Sequence, residues 1–338
     1  MKSYRLLAGS GAAGLQAGEE PSMPLGDHDV RVSMAAAALN FRDLRFAKGQ
    51  SACRPDHAIV PLSDGVGRVA EVGPSVTRFA PGDRVITTFF PAWTDGPATR
   101  EGVAISFGAQ IDGTLREELV ANEDGLTRAP AGLGDAGAAT ITCAGVTAWN
   151  AVFEAGVAKQ GDTVLILGTG GVAIWALQLA AAAGLHPIVT SSSDEKLARA
   201  EALGARGVVN YRKVPEWQHE VLRLTGGRGA DVVLEVGGED TIPRSIVASR
   251  FGGTVVVIGG LSGFGGARVE PGSLSGAAKR LVGISVGNRT MTDDLVRFID
   301  LHGVQPVVDR TFPFADARAA YEHLDAGRAF GKVVVSVG

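Results

Sequence analysis

One stretch constrains this chain more than any other: Val164-Leu165-Ile166-Leu167-Gly168-Thr169-Gly170-Gly171-Val172-Ala173. The apolar run from Thr163 to Leu167 reads as a strand buried on both faces, and Val172 to Ala183 reads as an apolar helix. Between them lies G-x-G-x-x-A, in which each small residue answers a steric demand. Gly168 permits a tight turn, Gly170 lets the backbone approach a pyrophosphate, and Ala173 lets the helix pack closely on the strand. A helix start offers unpaired N–H groups and the positive end of its dipole to an anion. A glycine pattern alone is weak, but this one stands between strand and helix. A dinucleotide held by Gly168, Thr169, Gly170, Gly171 and Val172 is the expectation.

The surrounding chain supports it. From about Ala131, strands alternate with helices: 187–190, 207–210, 231–236, 254–258 and 281–286 read as strands, and Asp194 to Leu203 as a helix. With 163–167 these make six strands, enough for a doubly wound parallel sheet in an α/β chain. The first 125 or so residues differ. They read as short β segments, Val30–Met34, Gly67–Val72 and Asp83–Thr87, punctuated by the turns Gly73-Pro74 and Pro81-Gly82-Asp83. After Gly287, a helix over Asp293–Leu301, a strand over Val304–Val308, a helix near Asp316–Leu324 and a last strand over Lys332–Val337 have no place in the β-α-β series. They are expected to return to the first domain. The predicted division is 1–125 with 288–338 as a mainly β domain, and 126–287 as the dinucleotide domain.

Composition narrows the partners. Lys and Arg number 32 against 36 Asp and Glu, a formal charge of −4, which offers no field for nucleic acid or anionic lipid. Two cysteines, Cys53 and Cys143, form no disulfide framework or metal knuckle, which fits a reducing, cytoplasmic setting. The N-terminus has the charge order of a signal peptide without its hydrophobic core. The longest apolar stretch, Val172–Leu185, is broken by Gln178 and is too short for a membrane span. A small-molecule substrate is the expected partner, with neither nucleic acid nor membrane.

A site that prefers NAD places an acid at the end of its second strand to bind the ribose 2′-OH. Here that place reads Val189-Thr190-Ser191-Ser192-Ser193, without a carboxylate. Asp194 and Glu195 follow, and Ser192-x-x-Glu195 reads as a capping box that assigns them to a helix start. Hydroxyls with Lys196 suit a 2′-phosphate, so NADPH is expected over NADH.

With these pieces placed, the chain resembles the medium-chain dehydrogenase/reductase superfamily over essentially its whole length, and within it the zinc-free quinone oxidoreductase and enoyl reductase branch. The residues that carry the likeness are Ala38-Leu39-Asn40-Phe41-Arg42-Asp43-Leu44, Pro61-Leu62-Ser63-Asp64-Gly65-Val66-Gly67, Pro81-Gly82-Asp83-Arg84-Val85, Thr142-Cys143-Ala144-Gly145-Val146-Thr147-Ala148-Trp149, the glycine turn, Gly229-Ala230-Asp231-Val232-Val233-Leu234-Glu235-Val236-Gly237 and Gly331-Lys332-Val333-Val334. The resemblance implies a GroES-like β domain, a Rossmann domain, an active site in the cleft and a homodimer or homotetramer. It implies that Ser191, Ser192, Lys196 and Tyr211 line the 2′-phosphate. It also implies that Val236, Gly237, Ile258, Gly259, Gly260, Leu261, Asn288 and Arg289 border the rest of the cofactor.

Where zinc-dependent relatives carry a Cys ligand this chain has Asn40, and where they carry His-Glu it has Ser63-Asp64; only Cys143 matches a ligand position. One thiol falls short of the three protein ligands of a catalytic zinc, so no metal is expected. Without a metal to acidify an alcohol, the easier chemistry is hydride transfer to an activated double bond or a quinone. Asn40 is the first candidate to stabilise the oxyanion, and Thr147 the second. The Tyr that the family often places shortly afterwards is replaced by Gly49-Gln50-Ser51-Ala52. A zinc-free alcohol or aldehyde oxidoreductase and a non-catalytic NADPH-binding sensor are the alternatives. Phe89, Phe90, Trp93 and Phe107 read as core aromatics rather than as a pocket. The G-x-S-x-G at Gly283–Gly287, with Asp309 and His323 following, matches a hydrolase elbow poorly, because Ser285 falls inside an alternating strand pattern.

Overall fold

The computed structural model describes residues 1–263 and 265–338, which form two units, 1–146 with 287–338 and 147–286. In chain order the first segment carries β1 (Lys2–Arg5), β2 (Gln16–Glu19), β3 (Asp29–Leu39), β4 (Asp64–Val72), β5 (Arg84–Thr87), β6 (Glu118–Asn122) and β7 (Leu126–Arg128). β3 is the organising strand. Its first half buries Val30, Val32 and Met34 on one face while Arg31 and Ser33 face outward, and its second half, Ala36 to Leu39, is buried throughout.

The second unit carries β8 (Thr163–Leu167), β9 (His186–Ser191), β10 (Gly207–Asn210), β11 (Ala230–Glu235), β12 (Ser249–Val257) and β13 (Arg280–Gly283). They form one parallel sheet in the order β10-β9-β8-β11-β12-β13. β8 and β11 are buried throughout, as the uninterrupted apolar run of β8 predicts for a strand covered on both faces. Leu165, Leu167, Ile188, Trp217, Val233 and Ile246 belong to the core packed there.

The tail supplies β14 (Val308–Pro313) and β15 (Lys332–Ser336) to the first unit, so the seven-stranded sheet runs β14-β15-β3-β4-β5-β7, with β6 also paired to β3. The predicted strand over 304–308 therefore lies later, where Val308 pairs with Lys332. The segment 126–146, which the change of sequence pattern assigns to the dinucleotide domain, belongs instead to the first unit. β7 pairs with β5, and Thr142 Oγ1 donates to Thr87 O at 2.8 Å. β13 ends at Gly283, so Ser285 lies beyond the strand and not within it. Among the described residues no helix is long and apolar enough to cross a membrane.

Candidate active site

In the second unit, strand order reverses between β8 and β11, and open α/β sheets hold ligands beyond the strand ends at such a switch. The glycine turn follows β8 there. Gly168 has φ +81°, and its N–H donates to Thr190 O at 3.0 Å, which ties the turn to the end of β9. The helix Gly171–Ala182 starts at Gly170, which supplies no side-chain cap, so its leading N–H groups are left for a ligand. A Cβ built on Gly170 would meet nothing within 4 Å, so the backbone faces open space. Thr169 is buried beside it and Val172 is on the first turn of the helix. The turn fits a pyrophosphate.

Ser191 ends β9, buried, with its Oγ accepting from Ser193 N–H at 3.3 Å. Its carbonyl accepts from Tyr211 N–H at 3.1 Å, which brings the half-exposed Tyr211 to the same strand end. The helix Asp194–Ala202 is capped by Ser193, not Ser192. Ser193 is extended, and its Oγ reaches Lys196 N–H, the third residue of the helix, at 3.3 Å. Asp194 is held by Lys213 at 2.5 Å and by Asn210 Nδ2 at 2.7 Å. Ser191, Ser192, Lys196 and Tyr211 thus lie around the end of β9, where the nearby Asp194 carboxylate is held by Lys213 and Asn210.

The loops after β11 and β12 are bonded to each other. Leu261 N–H donates to Val236 O at 3.2 Å and Ser262 N–H to Gly237 O at 2.7 Å, with Ile258, Gly259 and Gly260 leading into that contact. Their anchor escapes sequence reasoning. Glu235 is fully buried, and its Oε1 accepts from Gly237 N–H at 2.6 Å, Gly238 N–H at 3.0 Å and Thr241 Oγ1 at 2.6 Å, while Oε2 accepts from Ser245 Oγ at 2.5 Å. A carboxylate closing a strand buried on both faces is the signal that could have found it. Thr147, also in this unit, is buried on a short helical stretch, Val146–Trp149.

The first unit gathers a second set of polar groups. Asn40 follows β3, Asp64 opens β4 and Lys332 opens β15; the register Val333↔Leu39 and Ala38↔Asp64 brings the three strand ends together. Lys332 Nζ donates to Leu39 O at 2.8 Å, to Asn40 Oδ1 at 2.5 Å and to Asp64 Oδ2 at 3.3 Å. Three acceptors match the three hydrogens of an ammonium. Asp64 Oδ1 accepts from Ser63 Oγ at 2.7 Å, and Oδ2 also from Cys143 N–H at 3.3 Å. Asn40, Ser63, Asp64 and Lys332 are all buried. Asn40 also opens the helix Phe41–Ala47, with Asp43 Oδ2 accepting from its N–H at 2.8 Å. Burial pushes the Asp43 carboxyl up to about 6, against the pull of Arg42 and of the Asn40 N–H. Asn40 Nδ2 is the exception in this cluster: it is buried and has no hydrogen-bond partner. Such a group normally finds one.

Other candidates have local work. Asn288 caps the helix Arg289–His302, accepting from Met291 N–H at 2.8 Å, and its Nδ2 donates to Gly96 O at 3.1 Å. Arg289 pairs with Asp124 at 2.5 Å. Both lie in the first unit, with Asn288 Oδ1 and Nδ2 and Arg289 Nη1 bonded there. Phe89, Phe90, Trp93 and Phe107 are buried, Phe89 and Phe90 edge to face at 4.6 Å, as core aromatics are. His323 Nε2 lies 2.7 Å from Asp309 within the tail.

Comparison with known proteins agrees with this geometry. Residues 26–131 match the family described as alcohol dehydrogenase GroES-like domain, and residues 171–301 match zinc-binding dehydrogenase. A zinc-type alcohol dehydrogenase-like protein of Schizosaccharomyces pombe is 39% identical over 94% of this chain and 94% of its own. The chain belongs to the medium-chain dehydrogenase/reductase superfamily. As such it is an oxidoreductase, with a GroES-like domain and a Rossmann-like parallel sheet. Among solved structures of the superfamily, an NAD-dependent alcohol dehydrogenase superposes with TM-score 0.91 at 33% identity, covering 100% of both chains. A 2-octenoyl-CoA carboxylase reductase in complex with NADP and 2-octenoyl-CoA gives TM-score 0.88 at 27% identity, covering 99% of this chain and 87% of that one.

The zinc in the matched family's description does not suit the residues here. At the three places where the resemblance puts ligands stand an amide, a serine–aspartate pair and Cys143, and the Lys332 ammonium lies among them, bonded to Asn40 and Asp64. A fixed cation bonded to Asp64 repels a second cation. Burial, aided by Asp64, pushes the Cys143 thiol well up, away from the thiolate that a metal requires.

Proposed function

We propose that this superfamily member is an NADPH-dependent oxidoreductase that reduces an activated C=C bond, in an enone or enoyl compound, or a quinone, without zinc. The observation that carries the reading is the buried, unpartnered Asn40 Nδ2. The glycine turn receives the pyrophosphate on the N–H groups that open its helix, and Ser191, Ser192, Lys196 and Tyr211 receive the 2′-phosphate. When bound, NADPH supplies a hydride from nicotinamide C4. As hydride joins the β-carbon, the C=C electron pair moves toward the carbonyl and negative charge gathers on its oxygen. Asn40 Nδ2 donates hydrogen bonds to that oxygen, with Thr147 as a second donor. The α-carbon would then take its proton from water.

The same cluster supports the reductive direction. Oxidising an alcohol needs a base for its proton, and Asp64, the carboxylate that Lys332 binds, is committed to Lys332, Ser63 and Cys143 N–H. An amide donor serves reduction instead. The test is steady-state NADPH and NADH oxidation with simple enones, enoyl thioesters, quinones, aldehydes and alcohols, with and without a chelator. Chelator-insensitive reduction of enones or quinones with NADPH is expected. Turnover confined to alcohols and aldehydes, or abolished by the chelator, contradicts the proposal, as does cofactor binding without turnover of any substrate.

A further inference from the structure

We infer that Lys332 is a positioning residue for Asn40: it fixes which end of the amide meets the substrate and strengthens that end as a donor. The inference rests on the reading of Asn40 as the oxyanion donor. An asparagine amide can turn over and exchange its oxygen for its nitrogen. An ammonium only donates, so the atom 2.5 Å from Lys332 Nζ has to be Oδ1, and Nδ2 is thereby aimed away from it.

The lock is itself locked. The other two ammonium hydrogens go to Leu39 O and Asp64 Oδ2, and Asp64 is held by Ser63 Oγ and Cys143 N–H. Lys332 and Asp64 have side-chain exposures of 3% and 0%, so water offers neither of them an alternative partner. A positive charge on the amide oxygen draws electron density from Nδ2–H, making it a stronger donor. It also places a fixed cation one amide away from where negative charge develops. With Lys332 removed, only the capping-box contact of the Asn40 side chain with the Asp43 N–H still favours this orientation, and wherever the amide turns over Oδ1 repels the oxyanion.

Lys332→Met alone leaves Asp64 as an unpaired buried charge and risks misfolding. The double variant K332M/D64N removes both charges together and is therefore the deciding one. Two readouts are taken: kcat and KM with a simple enone, and, without cofactor, the NMR side-chain amide pair of Asn40, identified by its loss in Asn40→Asp. In K332M/D64N, kcat is expected to fall roughly 100-fold while KM for NADPH stays within about twofold. The amide pair is expected to move toward the position of a free asparagine. Lys332→Arg, which keeps a charged donor, is expected to retain more turnover than Lys332→Met. A folded K332M/D64N with kcat within about twofold of wild type and an unmoved amide pair overturns the inference. Asn40→Asp separates the two claims. If it keeps full turnover, the donor reading fails. If it loses turnover while K332M/D64N does not, only the role of Lys332 fails.

Discussion

Lys332 Nζ lies 2.5 Å from Asn40 Oδ1 although 292 residues separate them in the chain. The contact exists because β15, made by the tail, is antiparallel to β3 and sets Val333 opposite Leu39. The last strand therefore both completes a sheet and orients the group assigned to the chemistry. Charge, register and the unpaired Nδ2 belong to one arrangement.

The first consequence concerns pH. Asp43, buried against the Asn40 N–H, has its carboxyl raised from 3.8 to about 6. A raised pKa means that the folded state holds the proton more tightly than the unfolded one. The stabilisation is full below about 4 and is lost as pH rises through about 6; its upper bound is about 3 kcal/mol. Asp43→Asn keeps an acceptor for the Asn40 N–H without the charge. Thermal melts at pH 5 and pH 7 are expected to show the variant gaining on wild type at pH 7 more than at pH 5.

The glycine turn makes a prediction that separates fold from function. Gly170 has φ −80°, which alanine adopts without strain, and a methyl there touches no protein atom within 4 Å. Gly170→Ala is expected to leave the stability within about 1 kcal/mol of wild type while weakening NADPH binding at least tenfold, because the methyl enters the space reserved for the pyrophosphate. Calorimetric titration beside a melt checks both halves.

Cofactor choice is tested at the end of β9. Ser191→Asp puts a carboxylate where NAD-preferring sites have one and where a 2′-phosphate would be repelled. Catalytic efficiency with NADPH is expected to fall and that with NADH to rise, shifting the ratio by roughly 100-fold or more, about 3 kcal/mol. An unchanged ratio places the 2′-phosphate elsewhere.

What can be read from the sequence follows from how local each feature is. The glycine turn is legible because strand, turn and helix are contiguous, and so are most of the parallel strands, whose apolar runs need no partner to be recognised. Asn40 is reached through the residues around it. Lys332 belongs to a stretch that carries the family likeness, Gly331-Lys332-Val333-Val334, yet that stretch gives it no role, since its partners lie on two other strands and only sheet register unites them. A lysine heading a strand of buried valines is the available signal: such a cation needs acceptors, and none lies nearby in sequence. Ser193 escapes recognition as the helix cap for a smaller reason, since one residue of backbone conformation decides between neighbouring serines.

The most direct measurement is the turnover of Asn40→Asp with a simple enone and NADPH. Aspartate has nearly the size of asparagine and still offers Lys332 an oxygen, while an acceptor that can carry negative charge takes the place of the Nδ2–H donors. A fall in kcat of roughly 100- to 1000-fold with NADPH affinity unchanged is the predicted result. Turnover within about twofold of wild type, in a variant that melts normally, would contradict the assignment of Asn40 as the oxyanion donor.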